Sequence, residues 1–216
     1  MNNARELKIM IIGSSGAGKT SFVQRWTKGK FSEDYKATII SDFGSKTYYY
    51  NENYYRIQLW DIGGQDKSAT MARIFAKDSH GCIVVTDLSI NETPSAIFNW
   101  KETISEESKF IDDEKIPFVL IGNKIDLIEN EDDKANVDNR TKTICKNYGF
   151  LNYFLTSAKE GININESMKF LIEYIIERMD KFSEENQIEF GQRRKDSVKL
   201  RKDNHFIRKK KNNTCC

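Results

Sequence analysis

The chain has 216 residues, 31% charged and 38% hydrophobic, with a formal net charge of +2 and four cysteines. That length allows one domain of ordinary size plus a tail, with enough apolar residues for a real core. The near-neutral charge gives no ground for nucleic-acid binding, and no run approaches the roughly 18 consecutive apolar residues that cross a bilayer.

Taken from the N-terminus, residues 1–6 are read as running straight into a strand, with no signal peptide expected. Leu7 to Ile12 is an apolar, strand-like run, and Gly13-Ser14-Ser15-Gly16-Ala17-Gly18-Lys19-Thr20 follows it. This is the spacing G-x-x-x-x-G-K-[ST] of a phosphate-binding loop, met by chance about once in a hundred chains of this length. Glycines let the backbone N–H groups turn inward on a polyphosphate. A lysine at this position reaches the β and γ phosphates, and the final hydroxyl can ligate Mg²⁺.

A helix is predicted from about Lys19 to Trp26, with Phe22, Val23 and Trp26 on one face. Residues 31–42 are polar and irregular. Two strands follow, about Phe43–Tyr50 and Tyr54–Trp60, joined by a tight Asn51-Glu52-Asn53 turn. Tyr55, Ile57 and Leu59 alternate with Arg56 and Gln58, as in a strand covered on one face. The runs at residues 82–85 and 118–121 are continuously apolar, which predicts strands buried on both faces, and residues 153–155 are a weaker third case.

Thr93-Pro94 opens a helix carrying Ile97, Trp100 and Ile104. The acidic residues 129–133 are read as a solvated loop. Asn165 is expected to cap a last helix whose Met168, Leu171, Ile172, Ile175, Ile176 and Met179 form a core stripe. Alternating strands and helices predict an α/β fold, a mostly parallel sheet wrapped on both faces with the hairpin at one edge. From Gln192 onward basic residues dominate, so residues 1–180 are read as the domain and 181–216 as a flexible basic tail. Cys82 and Cys145 stand singly in apolar contexts, and Cys215 and Cys216 are the last two residues, a distribution that fits a reducing cytosol.

Further chemistry-bearing segments fall at strand ends, where ligands of such sheets bind. Asp61-Ile62-Gly63-Gly64-Gln65 offers a carboxylate for Mg²⁺ and a glycine N–H for a γ-phosphate. Asn123-Lys124-Ile125-Asp126 and Thr156-Ser157-Ala158-Lys159 follow two later strands, and Thr38 lies in the irregular 31–42 loop. Each alone is an ordinary loop segment; their joint order behind one phosphate loop is what points to a single site.

Phosphate loop, loop threonine, D-x-x-G-Q, N-K-x-D and S-A-K occur here in the order and approximate spacing of Ras-like small GTPases, over essentially all of residues 6–180. Tyr35-Lys36-Ala37-Thr38-Ile39-Ile40-Ser41-Asp42-Phe43 is similar to the first switch of Rab proteins. Trp60-Asp61-Ile62 resembles a Rab subgroup serving lysosome-related organelles, and terminal Cys-Cys is a common Rab ending.

The resemblance implies a P-loop NTPase fold of the Ras-like G-domain type, with a six-stranded sheet. It also implies GTP/GDP as ligands, Mg²⁺ as cofactor and slow GTP hydrolysis that controls vesicle traffic through effectors. Ser15, Gly16, Ala17, Gly18, Lys19, Thr20 and Ser21 would hold the phosphates, with Phe31, Tyr35 and Thr38 closing from the first switch. Thr20, Thr38 and Asp61 would hold the metal, Gly64 the γ-phosphate, and Gln65 the attacking water. Asp126 would accept the guanine N1–H and amino hydrogens, which adenine cannot supply as a pair, so it would discriminate strongly. Asn123, Lys124, Ser157, Ala158 and Lys159 would complete the base site. Implied partners are an exchange factor, an activating protein, a GDP-dissociation inhibitor, effectors, and a membrane reached through prenylated Cys215 and Cys216. The implied location is the cytosol and the cytoplasmic face of endomembranes, of the endosome or lysosome-related type.

The sequence departs from the Rab pattern at Gly63, at Asp66-Lys67-Ser68, and at Ile40 and Ser41. Of the aromatic triad that Rabs present to effectors, Phe43 and Trp60 supply two members, and the third position is read as Ala76. Two other readings stay open at this point: a nucleotide-stabilised scaffold that hardly hydrolyses, and an ATP-using phosphate-loop protein, which Asp126 disfavours.

Overall fold

A computed structural model describes residues 5–33, 38, 41–64, 66–90 and 92–186. The chain divides into two units, residues 1–175 and 176–216. In the first unit, β1 (Arg5–Ile12) leads through the phosphate loop into α1 (Lys19–Lys28). Then come β2 (Ser41–Tyr50), β3 (Asn53–Ile62), α2 (Asp66–Ala76), β4 (Gly81–Asp87), α3 (Pro94–Ser105) and β5 (Phe118–Asn123). A 3-10 turn (Ile125–Leu127), α4 (Glu131–Asn147) and β6 (Asn152–Leu155) follow. Residues 164–186 form a last helix, α5, whose residues 176–186 are the described part of the second unit.

The six strands lie in the order β2-β3-β1-β4-β5-β6, all parallel except β2, which runs antiparallel to β3. Every residue of β4 and β5 is buried, as continuous apolar runs covered on both faces require. In β3, Tyr55, Ile57 and Leu59 point inward at 1% exposure or less. The hairpin differs from expectation by one residue. Tyr50 pairs with Asn53, so the turn is Asn51-Glu52 alone, with φ of 46° and 62°. Two central residues at positive φ match the strand twist in a tight two-residue hairpin.

Three more expectations are corrected. α1 runs on to Lys28, where Gly29 at φ 66° donates its N–H to the Arg25 carbonyl and ends the helix. The acidic segment is no loop: the Asn130 side chain accepts from the Asp132 N–H, and Glu131, Asp132 and Asp133 make the first turn of α4. Carboxylates there oppose the positive end of the helix dipole. Asn165 lies inside α5 rather than capping it, because the Ser167 N–H already donates to the Asn163 carbonyl. The Thr93 cap of α3 is as expected, its hydroxyl accepting from the Ala96 N–H at 3.3 Å. Met168, Leu171, Ile172 and Ile175 of α5 are fully buried.

The parallel register sets where chemistry can sit. Ile11 pairs with Asp61, Asp87 with Asn123, and Gly122 with Leu155. The carboxyl ends of β1, β3, β4, β5 and β6 therefore stop along one edge of the sheet, and the loops that leave them open together. No helix among the described residues is long and apolar enough to cross a membrane.

Candidate functional site

Along that edge lies a cleft of roughly 560 Å³. The phosphate loop forms its floor. Gly18 caps α1 at φ 90°, and a Cβ there would stand 2.3 Å from the Asn123 amide nitrogen, so only glycine fits. No side chain caps this helix start, which leaves the first-turn N–H groups to an anion. Lys19 is buried, its Nζ donating to the Gly13 carbonyl at 2.8 Å and the Ser14 carbonyl at 2.9 Å. Burial lowers its pKa to about 8, against the opposing pull of Asp61 and Glu92. A lysine so held stays largely protonated at neutral pH, ready for a phosphate.

Beside Lys19, three oxygens from three segments converge. The Thr20 hydroxyl donates to Asp61 Oδ2 at 2.5 Å and lies 2.9 Å from the Thr38 hydroxyl. Asp61 is fully buried, and its Oδ1 has no hydrogen-bond partner among the described residues. Burial pushes its pKa up to about 6, opposed by the Thr20 hydrogen bond and by Lys19. An orphaned buried carboxylate oxygen beside two hydroxyls is a hard, all-oxygen donor set. Mg²⁺ suits it, since that ion takes one or two protein carboxylates and completes its shell with water and phosphate. Among the described residues no cluster of three His, Cys, Asp or Glu side chains competes for a metal.

Gly64 presses on the phosphate loop: a Cβ there would lie 2.3 Å from the Ser15 nitrogen. The loop after β3 is thereby packed backbone against backbone on the phosphate loop. Gln65 and Tyr35 lie outside the described residues, as do the side chains of residues 66–69 and the terminal cysteines.

At the other end of the cleft, β5 delivers Asn123, 1% exposed. Its amide donates to the Ala17 carbonyl at 2.9 Å, and its Oδ1 accepts from the Thr156 hydroxyl and the Ala158 N–H, each at 3.2 Å. One side chain thus ties the phosphate loop to the loop after β6. Lys124, at φ 68°, pairs with Asp87 Oδ2 at 2.6 Å, and Asp87 Oδ1 accepts from Ser89. The 3-10 turn presents Asp126 to the cleft.

Ser15, Gly16, Ser21, Phe31, Ala158 and Lys159 also line it. Ala17 and Ser157 do not; they are buried supports, Ser157 accepting from the Glu160 N–H within its own loop.

Sequence reasoning missed Gln24, Ser32, Glu33 and Leu127 on the wall, and Arg25 behind it. The Arg25 guanidinium donates to the carbonyls of Ala158, at 2.7 Å, and Lys159, and lies 5.9 Å from the Phe31 ring centre. It fastens the base-end loop to α1. Leu127, one residue past Asp126, and Ser32, one past Phe31, carried a local signal.

Phe43, 48% exposed, meets Trp60 edge-on at 5.5 Å, and Trp60 lies 5.2 Å from Phe75. The third aromatic is therefore Phe75 and not Ala76, which is fully buried. One step along α2 turns a residue by about 100°, from the outer face to the core.

A phosphate loop, a metal-competent oxygen triad and a carboxylate-bearing base end define a phosphate-loop nucleotide-binding protein. The Ras family model matches residues 8–177. The human Ras-related protein Rab-32 (Homo sapiens) is 36% identical over 211 residues, covering 97% of this chain and 88% of that protein. Rab-32A of Dictyostelium discoideum is 37% identical over 171 residues, 78% of this chain and 77% of its own. The Ypt/Rab-type GTPase ypt7 of Schizosaccharomyces pombe is 34% identical over 175 residues, 81% and 84%. The chain belongs to the Ras family, in its Rab branch: it is a small GTPase of membrane trafficking.

Proposed function

We propose that the cleft holds GTP or GDP with Mg²⁺ and that the difference between the two orders the loops carrying Thr38 and Gly64. The observation that carries this reading is the sharing of one cleft by Lys19, the Thr20–Thr38–Asp61 oxygens and Asp126. Ser15, Gly16 and Gly18 to Ser21 cradle the phosphates with backbone N–H groups, Ala17 supports them from behind with its own N–H on the Ser14 carbonyl, and Lys19 spans the β and γ positions. Thr20, Thr38 and Asp61, whose oxygens converge, would hold the metal. Mg²⁺, when bound, neutralises charge on the transferred phosphoryl oxygens. Asp126 accepts from the guanine edge, Ala158 lines the base end beside it with its N–H held on Asn123 Oδ1, and Asn123 and Lys124 brace that end. Ser157 and Lys159 shape that end, and Phe31 and Tyr35 close it from the first switch.

Gln65 orients the attacking water. No arginine lies between Phe31 and Phe43, so an activating protein supplies one, worth a factor of roughly 10³–10⁵. Residues 1–180 are the switch and 181–216 its basic tail, the first six residues of which (181–186) continue α5. Geranylgeranyl groups on Cys215 and Cys216 give the two chains that stable anchoring needs, with the basic cluster adding about 1 kcal/mol per cation at an anionic leaflet. The protein then cycles between the cytosol, bound to a GDP-dissociation inhibitor, and the cytoplasmic face of endomembranes, where an exchange factor and effectors meet it.

Single-turnover GTP hydrolysis by wild type and Gln65→Leu tests the catalytic assignment. The variant should be slower by at least about tenfold. Equal rates would strip Gln65 of its role and favour a scaffold that binds nucleotide without turning it over.

A further inference from the structure

One carboxylate outside the cleft's wall is built against the phosphate loop. Glu92 sits just before the cap of α3, and both its oxygens are engaged. Oε1 accepts from the Ser14 hydroxyl and Oε2 from the Thr86 hydroxyl at 2.6 Å. Its backbone carbonyl accepts from the Arg140 guanidinium of α4. Ser14 in turn gives its carbonyl to Lys19 Nζ at 2.9 Å and to the Ala17 N–H at 3.3 Å. A continuous line of contacts therefore runs from α4 through Glu92 and Ser14 to the phosphate lysine.

A negative charge beside an anion site opposes the ligand, so an electrostatic gain in phosphate binding does not explain Glu92. Its geometry does. Hydrogen bonds to an ionised acceptor are short and roughly twice as strong as neutral ones. Here two of them fix the second residue of the loop and the end of β4 at once. Gly13, next in line, has its Cα against the Val85 carbonyl, where an added Cβ would lie 2.0 Å away. The first half of the loop is thus wedged on one side and latched on the other.

We infer that Glu92 is a positioning residue for the phosphate loop, holding Ser14 so that Lys19 and the loop N–H groups are set before nucleotide arrives, and thereby slowing nucleotide release. This rests on the guanine-nucleotide reading of the cleft. A brace for the β4–α3 connection alone would affect folding stability without changing release.

The test uses the full chain loaded with Mg²⁺ and a fluorescent N-methylanthraniloyl GDP, chased with excess GDP. Glu92→Ala should release about tenfold faster, the worth of one lost charge-assisted bond at the loop. Ser14→Ala should speed release by a similar factor, and the double variant should be no faster than either single one, because both break the same latch. Glu92→Gln should recover most of the wild-type lifetime, since its amide accepts from one hydroxyl and donates to the other. The ³¹P resonance of the bound GDP β-phosphate should move in Glu92→Ala and Ser14→Ala and return toward wild type in Glu92→Gln. Release within twofold of wild type in the alanine variants, or effects that multiply in the double variant, would overturn the latch. Should Glu92→Ala not fold, Ser14→Ala against wild type decides by the same criteria. A wild-type protein that takes up no labelled GDP would instead bring down the nucleotide reading, and the latch with it.

Discussion

Asn123→Ala should be among the most damaging small changes at this site. The side chain is 1% exposed and makes three hydrogen bonds, to the Ala17 carbonyl, the Thr156 hydroxyl and the Ala158 N–H. At about 1 kcal/mol each, with part of the desolvation of the abandoned partners added, truncation removes about 3–5 kcal/mol. Much of that falls on the liganded state, because Asn123 joins the loop that holds the phosphates to the loop that faces the base, and the empty protein can relax around the gap. Release of a fluorescent GDP should therefore quicken by about 10²–10³-fold. Asn123→Asp should do no better, since it keeps the Oδ1 acceptor but turns a second oxygen on the Ala17 carbonyl. Chase kinetics on loaded protein, with urea unfolding in excess GDP as the companion measurement, check this. A lifetime within threefold of wild type for Asn123→Ala would refute the tie between the two loops.

Burial pushes the Asp61 carboxyl up to about 6 from an ordinary value of 3.8, so the metal-free native protein keeps a proton that the unfolded chain has released. Its stability should fall as pH rises through that window. Mg²⁺ needs the ionised form, so its affinity should drop by up to about tenfold per unit below pH 6; equal Mg²⁺ dependence of nucleotide release at about pH 5 and 7 would contradict this. Gly64→Ala puts a methyl 2.3 Å from the Ser15 nitrogen and 2.6 Å from its Cα, backbone that cannot swing aside. GDP should still bind, while single-turnover GTP hydrolysis slows by roughly ten- to a hundredfold; an unchanged rate would mean the close approach is not used. Asp126→Asn exchanges an acceptor for a donor, and xanthine presents a carbonyl where guanine presents its amino group. Competition binding should show the preference moving from guanine to xanthine by at least about a hundredfold, and retained guanine preference would remove Asp126 from the base edge.

What could be read from the sequence follows physical range. The phosphate loop, the buried strands β4 and β5 and the Thr93 cap are local patterns, and each sits where its residues predict, whereas β6, read as a weaker buried run, is only half-buried at the sheet edge. α4 escaped because only Thr141 and Ile144 of its seventeen residues are buried, too few to draw an apolar stripe through an acidic and amide-rich segment. The aromatic surface was misplaced by one residue because neither neighbour on α2 carries a cap or turn signal to fix its phase. Alanines at 72 and 76 do the packing, and Phe75 is left to meet Trp60. Arg25 and Glu92 were invisible for another reason. Their partners lie 133 and 78 positions away, and only the register of the parallel strands brings them together.

The most direct measurement is the identity of the nucleotide carried by the purified full chain, read by chromatography after denaturing the protein. Close to one guanosine di- or triphosphate per chain is the expected result, released early when Mg²⁺ is chelated. Adenine nucleotide in its place, or protein that is folded and empty and stays so with GDP and Mg²⁺ in excess, would contradict the assignment of this cleft.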